Sequence, residues 1–347
     1  MLRAGYTAVC EFHYLHHAPD GQRYADPAEM SMRLLAAAER AGIGITLLPV
    51  LYQDAGFGGQ PLRPEQRRYL NSVDGLLDLV QRSRARGARV GVAPHSLRAV
   101  GPQALRKLLA GLRSIDDSAP IHLHIAEQQQ EVDDCIAWSG QRPVAWLLAN
   151  APVDVRWCLV HATHLDDAER AALAASGAVA GLCPTTEANL GDGVFPAAAY
   201  LGAGGAWGVG SDSHISVDAA EELRLLEYTQ RLAQQRRNVL VGDRHRHVAD
   251  HLWLGAVAGG ARASGRSLHG LAVGEQADLV VLDGSGVLSG LAPAQALASH
   301  VFAHSGRSAV RDVFVAGVPR IRDGEHAMQH SAAREFVATR SALLRES

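Results

Sequence analysis

Histidines and carboxylates that follow predicted strands are the residues of this chain best suited to chemistry. The segment IHLHIAE carries His124, and Glu127 lies three residues later, at or beyond the strand end. His161 closes a second strand in LVHATH, Asp212 follows a third in GSDSH, and His95 follows a fourth in PHSLRA. Imidazole nitrogens and carboxylate oxygens bind divalent metal ions and transfer protons. Four such strand ends favour a metal-centred site over scattered structural histidines.

The other histidines have a simpler interpretation. A single histidine near a strand end is commonly a hydrogen-bonded structural residue. His122 lies on the same strand face as His124, and His164 follows His161, so both interpretations apply to them. Five further histidines are expected in loops or on the surface rather than as metal ligands: His13, His16, His17, His245 and His247.

Short apolar segments alternate with amphipathic helical segments, which is the pattern of a parallel sheet built from βα units. Near-continuous apolar strands indicate burial on both faces, and seven consecutive units favour a closed barrel, whose strand ends share one mouth. Strands are predicted at 7–12, 44–50, 90–95, 121–127, 158–164, 178–184 and 206–213. Helices are predicted at 27–42, 66–87, 104–114, 164–177 and 217–235.

The pattern changes after a helical segment that ends near residue 265. The segments 271–284 and 310–324 alternate apolar and polar residues around glycine-containing turns, which predicts a small antiparallel unit. The last segment is typical of an amphipathic helix. We therefore predict three regions, namely a barrel at 1–265, a small β domain at 266–325 and a terminal helix at 326–347.

The composition limits the class of protein. The 347 residues include 47% hydrophobic and 20% charged residues, with 33 Lys and Arg against 36 Asp and Glu. This balance excludes intrinsic disorder and argues against a nucleic-acid partner. No segment approaches the roughly 18 apolar residues of a membrane span, so we expect a cytoplasmic protein. The four cysteines lack CxxC spacing and are expected to be buried reduced thiols.

The motifs together resemble a known family. HIAE at 124–127, LVHATH, GSDS and GLAVGEQADLVVLDG resemble the amidohydrolase superfamily, in the deaminase branch that uses one metal ion. EFHYLHH, AGFGGQP, HSLRAV, HIAEQQQEVDDC and TTEANLGDGVFP are similar to the formimidoylglutamate deiminases. This resemblance runs from Met1 to about Arg322. It implies a (β/α)8 barrel with a small β-sandwich domain, which hydrolyses N-formimidoyl-L-glutamate to N-formyl-L-glutamate and ammonia in histidine degradation, and a homodimer for the full-length protein.

The sequence departs from the family at its beginning. The family supplies two metal ligands as His-x-His at the end of the first barrel strand, and no such strand precedes the segment 7–12. His122 and His124 cannot take this place, because His124 matches the ligand of the fifth strand. We therefore expect an N-terminally truncated chain, in which the barrel lacks its first strand and only the C-terminal part of the small domain is present.

The resemblance implies one divalent ion, zinc or alternatively iron, with His124 and Asp212 among its ligands. It also implies that Asp212 accepts a proton from the attacking water, and that Glu127 holds the amidinium and protonates the departing nitrogen. His161 would orient the water or stabilise the tetrahedral intermediate.

Substrate binding is the second set of roles that the resemblance implies. Arg98 would bind the glutamate carboxylate through two parallel hydrogen bonds, with Tyr14 and His95 sharing the task. From the residues alone, Arg98 is also compatible with a surface loop and Tyr14 with loop packing. Glu187 and Asn189, in TTEANLGDG, either line the mouth or cap the following turn.

Two other functions fit the sequence. A neighbouring deaminase acting on a heterocycle such as guanine or cytosine would have aromatic stacking residues and no need for a carboxylate-binding arginine. An inactive fragment or binding remnant is the other alternative, because half of the family's metal ligands are missing from the sequence.

Overall fold

The computed structural model describes residues 1–242, 247–266, 270–303 and 308–346, and His245 lies outside these ranges. The strands are β1 (Ala8–His13), β2 (Gly44–Leu51), β3 (Arg89–Val90), β4 (Ala93–Pro94), β5 (Ile121–Ile125), β6 (Trp157–His161), β7 (Val179–Leu182), β8 (Ala206–Val209), β9 (Leu279–Leu282), β10 (Val310–Val315), β11 (Val318–Arg322) and β12 (Glu325–His326). The helices are α1 (Glu29–Ala41), α2 (Val73–Ala85), α3 (Pro102–Ile115), α4 (Gln129–Ser139), α5 (Pro143–Asn150), α6 (Asp167–Ser176), α7 (Pro184–Leu190), α8 (Ala197–Gly202), α9 (Ala219–Gln234), α10 (Val248–Ser264), α11 (Pro293–Phe302) and α12 (Gln329–Glu346).

The first eight strands are parallel and follow one another in space as they do in the chain. Strand β2 pairs with β1 on one side and with β3 and β4 on the other, and β5 to β8 pair in chain order. Isolated bridges between Val92 and Ile121 and between Ser96 and His124 join the two sheets. This order confirms the predicted α/β barrel architecture, in which the carboxyl ends of the strands face one mouth.

The segment predicted as one strand at 90–95 consists of two short strands because the backbone changes its hydrogen-bond partner at Gly91. The Gly91 amide donates to the Leu47 carbonyl at 2.9 Å, whereas the Val92 amide donates to the Pro120 carbonyl at 3.0 Å. A Cβ atom at position 91 would lie 2.2 Å from the Pro120 oxygen. Only glycine permits this approach.

The strands that carry the candidate site end earlier than predicted. Strand β5 ends at 125, β6 at 161 and β8 at 209, instead of 127, 164 and 213. The backbone leaves the extended conformation because several residues adopt positive φ, which is uncommon for residues other than glycine and clusters at functional sites. These residues are Ala126 (φ 49°), His161 (69°), Ala162 (49°), Asp212 (42°) and His214 (58°).

The helix predicted at 66–87 is wrong in its first part, since α2 begins at Val73. The Ser72 hydroxyl accepts a hydrogen bond from the Gly75 amide at 3.0 Å and so caps the helix there. Leu70, before the cap, forms a parallel bridge with Tyr52. Helices α4, α5, α7, α8 and α11 were not predicted, although proline at the first position of α5, α7 and α11 is a helix-start signal. Among the described residues, no helix has the length and apolar character needed to cross a bilayer.

Strands β9 to β12 form the predicted antiparallel unit, in the spatial order 12-11-10-9. Ala316 (φ 50°) and Gly317 (φ 76°) connect β10 to β11 in a two-residue turn, as the twist of antiparallel strands prefers. Leu2, near the chain start, packs with Val313 and Ile321 of this sheet. The region limits at 265 and 325 stay predictions.

Helix α10 packs directly against the last parallel strand. A Cβ atom at Gly259 would lie 1.6 Å from the Trp207 carbonyl oxygen, so the helix backbone touches the backbone of β8. At the C-terminal end of α10, the Ala263 carbonyl accepts a hydrogen bond of 2.8 Å from His122 Nε2. His122 therefore holds the helix to the barrel interior, and this is a structural role.

We predict that Gly259→Ala destabilises the fold, whereas Gly260→Ala does not. A side chain at 259 collides with Trp207, while a Cβ atom at 260 meets no atom within 4 Å. Gly259→Ala should lower the free energy of unfolding by about 2 kcal/mol. Gly260→Ala should raise it by up to about 1 kcal/mol, because alanine favours the helix. Urea unfolding of both variants measures the difference, and equal effects would contradict the packing described here.

Candidate active site

The candidate site is centred on His161, the last residue of β6, which is buried. Its Nε2 atom lies 3.7 Å from Glu127 Oε1 and 3.9 Å from Asp212 Oδ2. Its Nδ1 atom lies 3.2 Å from Glu187 Oε1. Three carboxylates from the ends of β5, β7 and β8 thus surround one imidazole. The structure brings together His161, Glu127 and Asp212, which the sequence analysis selected.

Glu187 orients His161. Because a carboxylate oxygen only accepts, the His161 Nδ1–H donates to Glu187 Oε1, and Nε2 is left facing Glu127 and Asp212. The same Oε1 atom accepts the Cys183 amide at 2.9 Å. Glu187 therefore does both things that the sequence left open, since it binds a backbone amide at the start of α7 and lies in the site. Asn189 is exposed on α7.

His124 has the hydrogen-bonding pattern of a metal ligand. Its Nδ1–H donates to the His95 carbonyl oxygen at 3.1 Å, so Nε2 carries the free lone pair. Its ring stacks on that of His161, with centroids 5.5 Å apart and planes inclined by 16°. Burial, and then the neighbouring His95, His161 and Arg98, hold the pKa of His124 well below its usual range. The neutral imidazole that results is the form that binds metal ions.

The surroundings of Glu127 and His161 shift the pKa of both side chains. Burial raises the pKa of Glu127, while His161 and Arg98 oppose this effect. Burial lowers the pKa of His161, but the hydrogen bond to Glu187 and the charges of Glu127, Glu187 and Asp212 outweigh it and raise the pKa overall. Glu131 on α4 supports the arrangement, because its Oε2 accepts the Glu127 amide at 3.1 Å.

Arg98, Tyr14 and His95 lie beside this cluster. Arg98 Nη2 is 3.8 Å from Glu127 Oε2, and Arg98 Nε is buried without a hydrogen-bond partner. The Tyr14 ring centroid lies 5.4 Å from that of His95 and 6.4 Å from that of His124. The structure therefore places all three residues at the mouth with the other site residues.

Several histidines form structural hydrogen bonds to backbone carbonyl groups instead. His16 Nε2 donates to Val50 at 2.8 Å and His17 Nε2 to Leu70 at 2.7 Å. His164, which follows His161 in the sequence, donates from Nε2 to the Asp192 carbonyl at 2.7 Å. His13, expected in a loop, is the buried last residue of β1.

Cys183 is the residue of the site that the sequence analysis missed. The predicted strand ran to 184, but β7 ends at Leu182, so Cys183 lies just beyond the strand and is the residue before the first residue of α7. Ligand atoms of His161, Cys183 and Asp212 all lie within 4.8 Å of one another. The only sequence signal was Pro184, which favours a helix start at this point. All four cysteines are free, as predicted, although Cys10 is only half-buried.

The residues at this mouth fit a metal ion. His124 offers a free Nε2 lone pair and its ring stacks on that of His161, whose Nε2 lies 3.9 Å from Asp212 Oδ2. Nitrogen and oxygen donors of this kind bind zinc and iron. The hydrogen bond from His124 Nδ1–H to a backbone carbonyl group is of the kind that commonly orients a metal-binding histidine.

A family profile described as the amidohydrolase family matches residues 1–320. The chain belongs to the amidohydrolase family. Formimidoylglutamate deiminase of Pseudomonas aeruginosa is 55% identical over 99% of this chain and 76% of its own length. Among solved structures, an amidohydrolase from Brucella melitensis matches with a TM-score of 0.93 and 46% identity, over 99% of this chain and 76% of that one.

A solved structure at lower sequence identity also matches. The structure of an adenosine deaminase from Xanthomonas campestris with bound zinc matches with a TM-score of 0.77 and 25% identity, over 100% of this chain and 73% of that one. These matches confirm the barrel fold and the resemblance found from the motifs.

We predict that Glu187→Gln lowers the pKa of His161 in protein without added metal. Glutamine still accepts the two hydrogen bonds but lacks the negative charge that favours the imidazolium. An NMR titration of the His161 ring measures the pKa. Glu222→Gln is the matched control, because Glu222 binds the Thr185 amide and hydroxyl of the same helix and does not contact His161. An unchanged pKa in Glu187→Gln would contradict the charge balance described above.

We also predict that the free energy of unfolding depends on pH through His161, and the same two variants test this. A raised folded-state pKa means that protonated His161 stabilises the fold below its unfolded value of about 6.5. This contribution is lost as the pH rises through the pKa of His161 in the folded protein, which is higher than its unfolded pKa. Glu187→Gln should therefore show a smaller loss of unfolding free energy over that window than the wild type, as measured by urea unfolding.

Proposed function

We propose that this protein hydrolyses N-formimidoyl-L-glutamate to N-formyl-L-glutamate and ammonia. The observation that carries the proposal is the position of Glu127, which lies between His161 Nε2 at 3.7 Å and Arg98 Nη2 at 3.8 Å. The proposed proton donor to the leaving nitrogen, Glu127, therefore lies next to the Arg98 guanidinium, which is suited to bind the substrate carboxylate. The 55% identity to a deiminase with this substrate supports the same reaction.

The proposed cofactor is one divalent ion, zinc or alternatively iron, with His124 and Asp212 among its ligands. When bound, such an ion supplies a water molecule that ionises near neutral pH. Asp212 is proposed to accept the proton of the attacking water. The zinc in the related adenosine deaminase structure supports this assignment.

Glu127 is proposed to bind the amidinium and then to protonate the departing nitrogen. Burial raises its pKa, which favours uptake of a proton during the reaction. The formimidoyl group carries a positive charge, so the ionised carboxylate stabilises it in the bound state. The proton that the attacking water loses to Asp212 then passes to Glu127 and from there to the departing nitrogen, so that ammonia leaves and both carboxylates are restored. The formyl product loses its remaining hydroxyl proton to solvent.

His161 is proposed to hydrogen-bond the oxygen that attacks the formimidoyl carbon. Glu187 holds its Nδ1, which keeps Nε2 aimed between Glu127 and Asp212. A donor fixed in this way stabilises a tetrahedral intermediate without reorganising during the reaction.

Arg98 is proposed to bind the glutamate carboxylate, together with Tyr14 and His95. Arg98 Nε is buried and has no hydrogen-bond partner, which is costly unless a ligand supplies one. A guanidinium binds carboxylate through two parallel hydrogen bonds, and its Nε is one of the donors available for this geometry.

We predict that Arg98→Ala raises KM for formimidoylglutamate by roughly 30-fold, which corresponds to a loss of about 2 kcal/mol of binding free energy. The assay uses protein purified from its native cells. Arg98→Lys should recover only part of the loss, since an ammonium cannot form the two-pronged contact. Arg106→Ala, at an exposed position of α3, is the matched control and should leave KM unchanged. Wild-type kinetics after Arg98→Ala, or preferential turnover of guanine or cytosine, would refute the substrate assignment.

A second prediction concerns the chemical step. Glu127→Gln keeps the shape of the side chain but removes its ability to exchange a proton. We expect kcat to fall by roughly 100- to 10,000-fold while KM changes little. Steady-state kinetics measure both constants, and thermal unfolding verifies that the variant is folded. A variant that keeps more than a tenth of the wild-type kcat would exclude Glu127 as the proton donor.

A further inference from the structure

Cys183 lies in a position that the proposed reaction does not use. It is buried at the end of β7, and its sulfur belongs to a group with His161 and Asp212 whose ligand atoms lie within 4.8 Å of one another. In the reaction proposed above, His124 and not Cys183 provides the ligand beside Asp212. The sulfur therefore belongs to a second arrangement of donors at the same mouth.

We propose that Cys183, His161 and Asp212 bind a soft divalent cation, zinc or cadmium, and that this ion blocks the active site. Thiolate sulfur selects soft and borderline metals over magnesium or manganese. The cation binds as the Cys183 thiol releases its proton to solvent, so that the sulfur–metal bond replaces the sulfur–hydrogen bond.

The spacing of the donor atoms suits such an ion. Bonds of about 2.0 to 2.3 Å in a tetrahedral site place neighbouring ligand atoms about 3.3 to 3.7 Å apart. His161 Nε2 lies 3.9 Å from Asp212 Oδ2, which is a few tenths of an ångström beyond that spacing. The ligand atoms of all three residues lie within 4.8 Å of one another, so an approach of roughly 1 Å or less brings the Cys183 sulfur into the shell. The donors are one nitrogen, one sulfur and one oxygen, and the fourth position is open to a water molecule.

The environment of His161 provides independent support. Its Nδ1–H donates to the buried carboxylate of Glu187. Metal-binding histidines characteristically donate their second ring nitrogen to a carboxylate or a carbonyl group, which fixes the ring and increases its basicity. His161 therefore already makes the hydrogen bond that is typical of a metal-binding histidine, and its Nε2 atom is available to bind the ion.

The blocking effect rests on the proposed function, because the ion would occupy His161 and Asp212, which the reaction needs. Binding of the ion does not rest on it. The experiment therefore measures binding, and its failure is distinguishable from failure of the deiminase assignment.

The test is a titration of the purified protein with cadmium chloride, followed by the ultraviolet charge-transfer absorption of the cadmium–thiolate bond. We expect this absorption to saturate at one equivalent in the wild type and in Cys158→Ser, a control that removes another buried thiol of the barrel. Cys183→Ser should lose it, and Asp212→Asn should bind at least tenfold more weakly. No absorption in the wild type, or full absorption in folded Cys183→Ser, would overturn the proposal.

A second measurement decides the question if circular dichroism shows that Cys183→Ser does not fold. X-ray absorption at the cadmium edge of the wild type with one equivalent of cadmium should show one sulfur neighbour, because thiolate selects soft metals. A shell containing only nitrogen and oxygen would refute the site.

Discussion

A buried imidazole among carboxylates is the interaction on which this site depends. His161 is 1% exposed as a side chain and lies within 4 Å of Glu127, Glu187 and Asp212. Three acids around one imidazole repel one another, which is costly unless a cation or hydrogen-bond donors compensate them. His161 provides part of the compensation, and Arg98 lies on the far side of Glu127. The remaining demand for positive charge suits a site that takes a metal ion and a cationic amidinium.

The barrel supplies the rigidity that holds these like charges together. Each acid follows a different strand, so hydrogen-bonded strand pairing sets the distances between them. Residues with positive φ turn the chain immediately after β5 and near the end of β6 and β8. Interactions at the opposite end of the barrel complete the frame, because Thr46 Oγ1 and His122 Nε2 donate to the last carbonyls of α10.

Most of the fold was predictable from local patterns. Apolar segments of strand length alternate with helical segments, and seven of them matched strands or strand pairs in the structure. The errors lie where a distant contact overrides the local pattern. The Pro120 carbonyl divides the strand at Gly91, and the pairing of Leu70 with Tyr52 delays the start of α2. Neither partner is close in sequence to the residue it affects.

The sequence by itself indicated which donors share one mouth, because His124, Glu127, His161 and Asp212 each lie near or just beyond the end of a strand, and parallel strands end at a common mouth. It also indicated the family. Only the tertiary structure decided how these donors face one another. Glu187 and Cys183 lie in the site because β7 ends at Leu182 and α7 begins at Pro184. His122 and His164 are not part of the site, because their Nε2 atoms donate hydrogen bonds to the carbonyl groups of Ala263 and Asp192. A side chain's partner depends on the position of segments far away in the chain, and local sequence patterns do not encode that position.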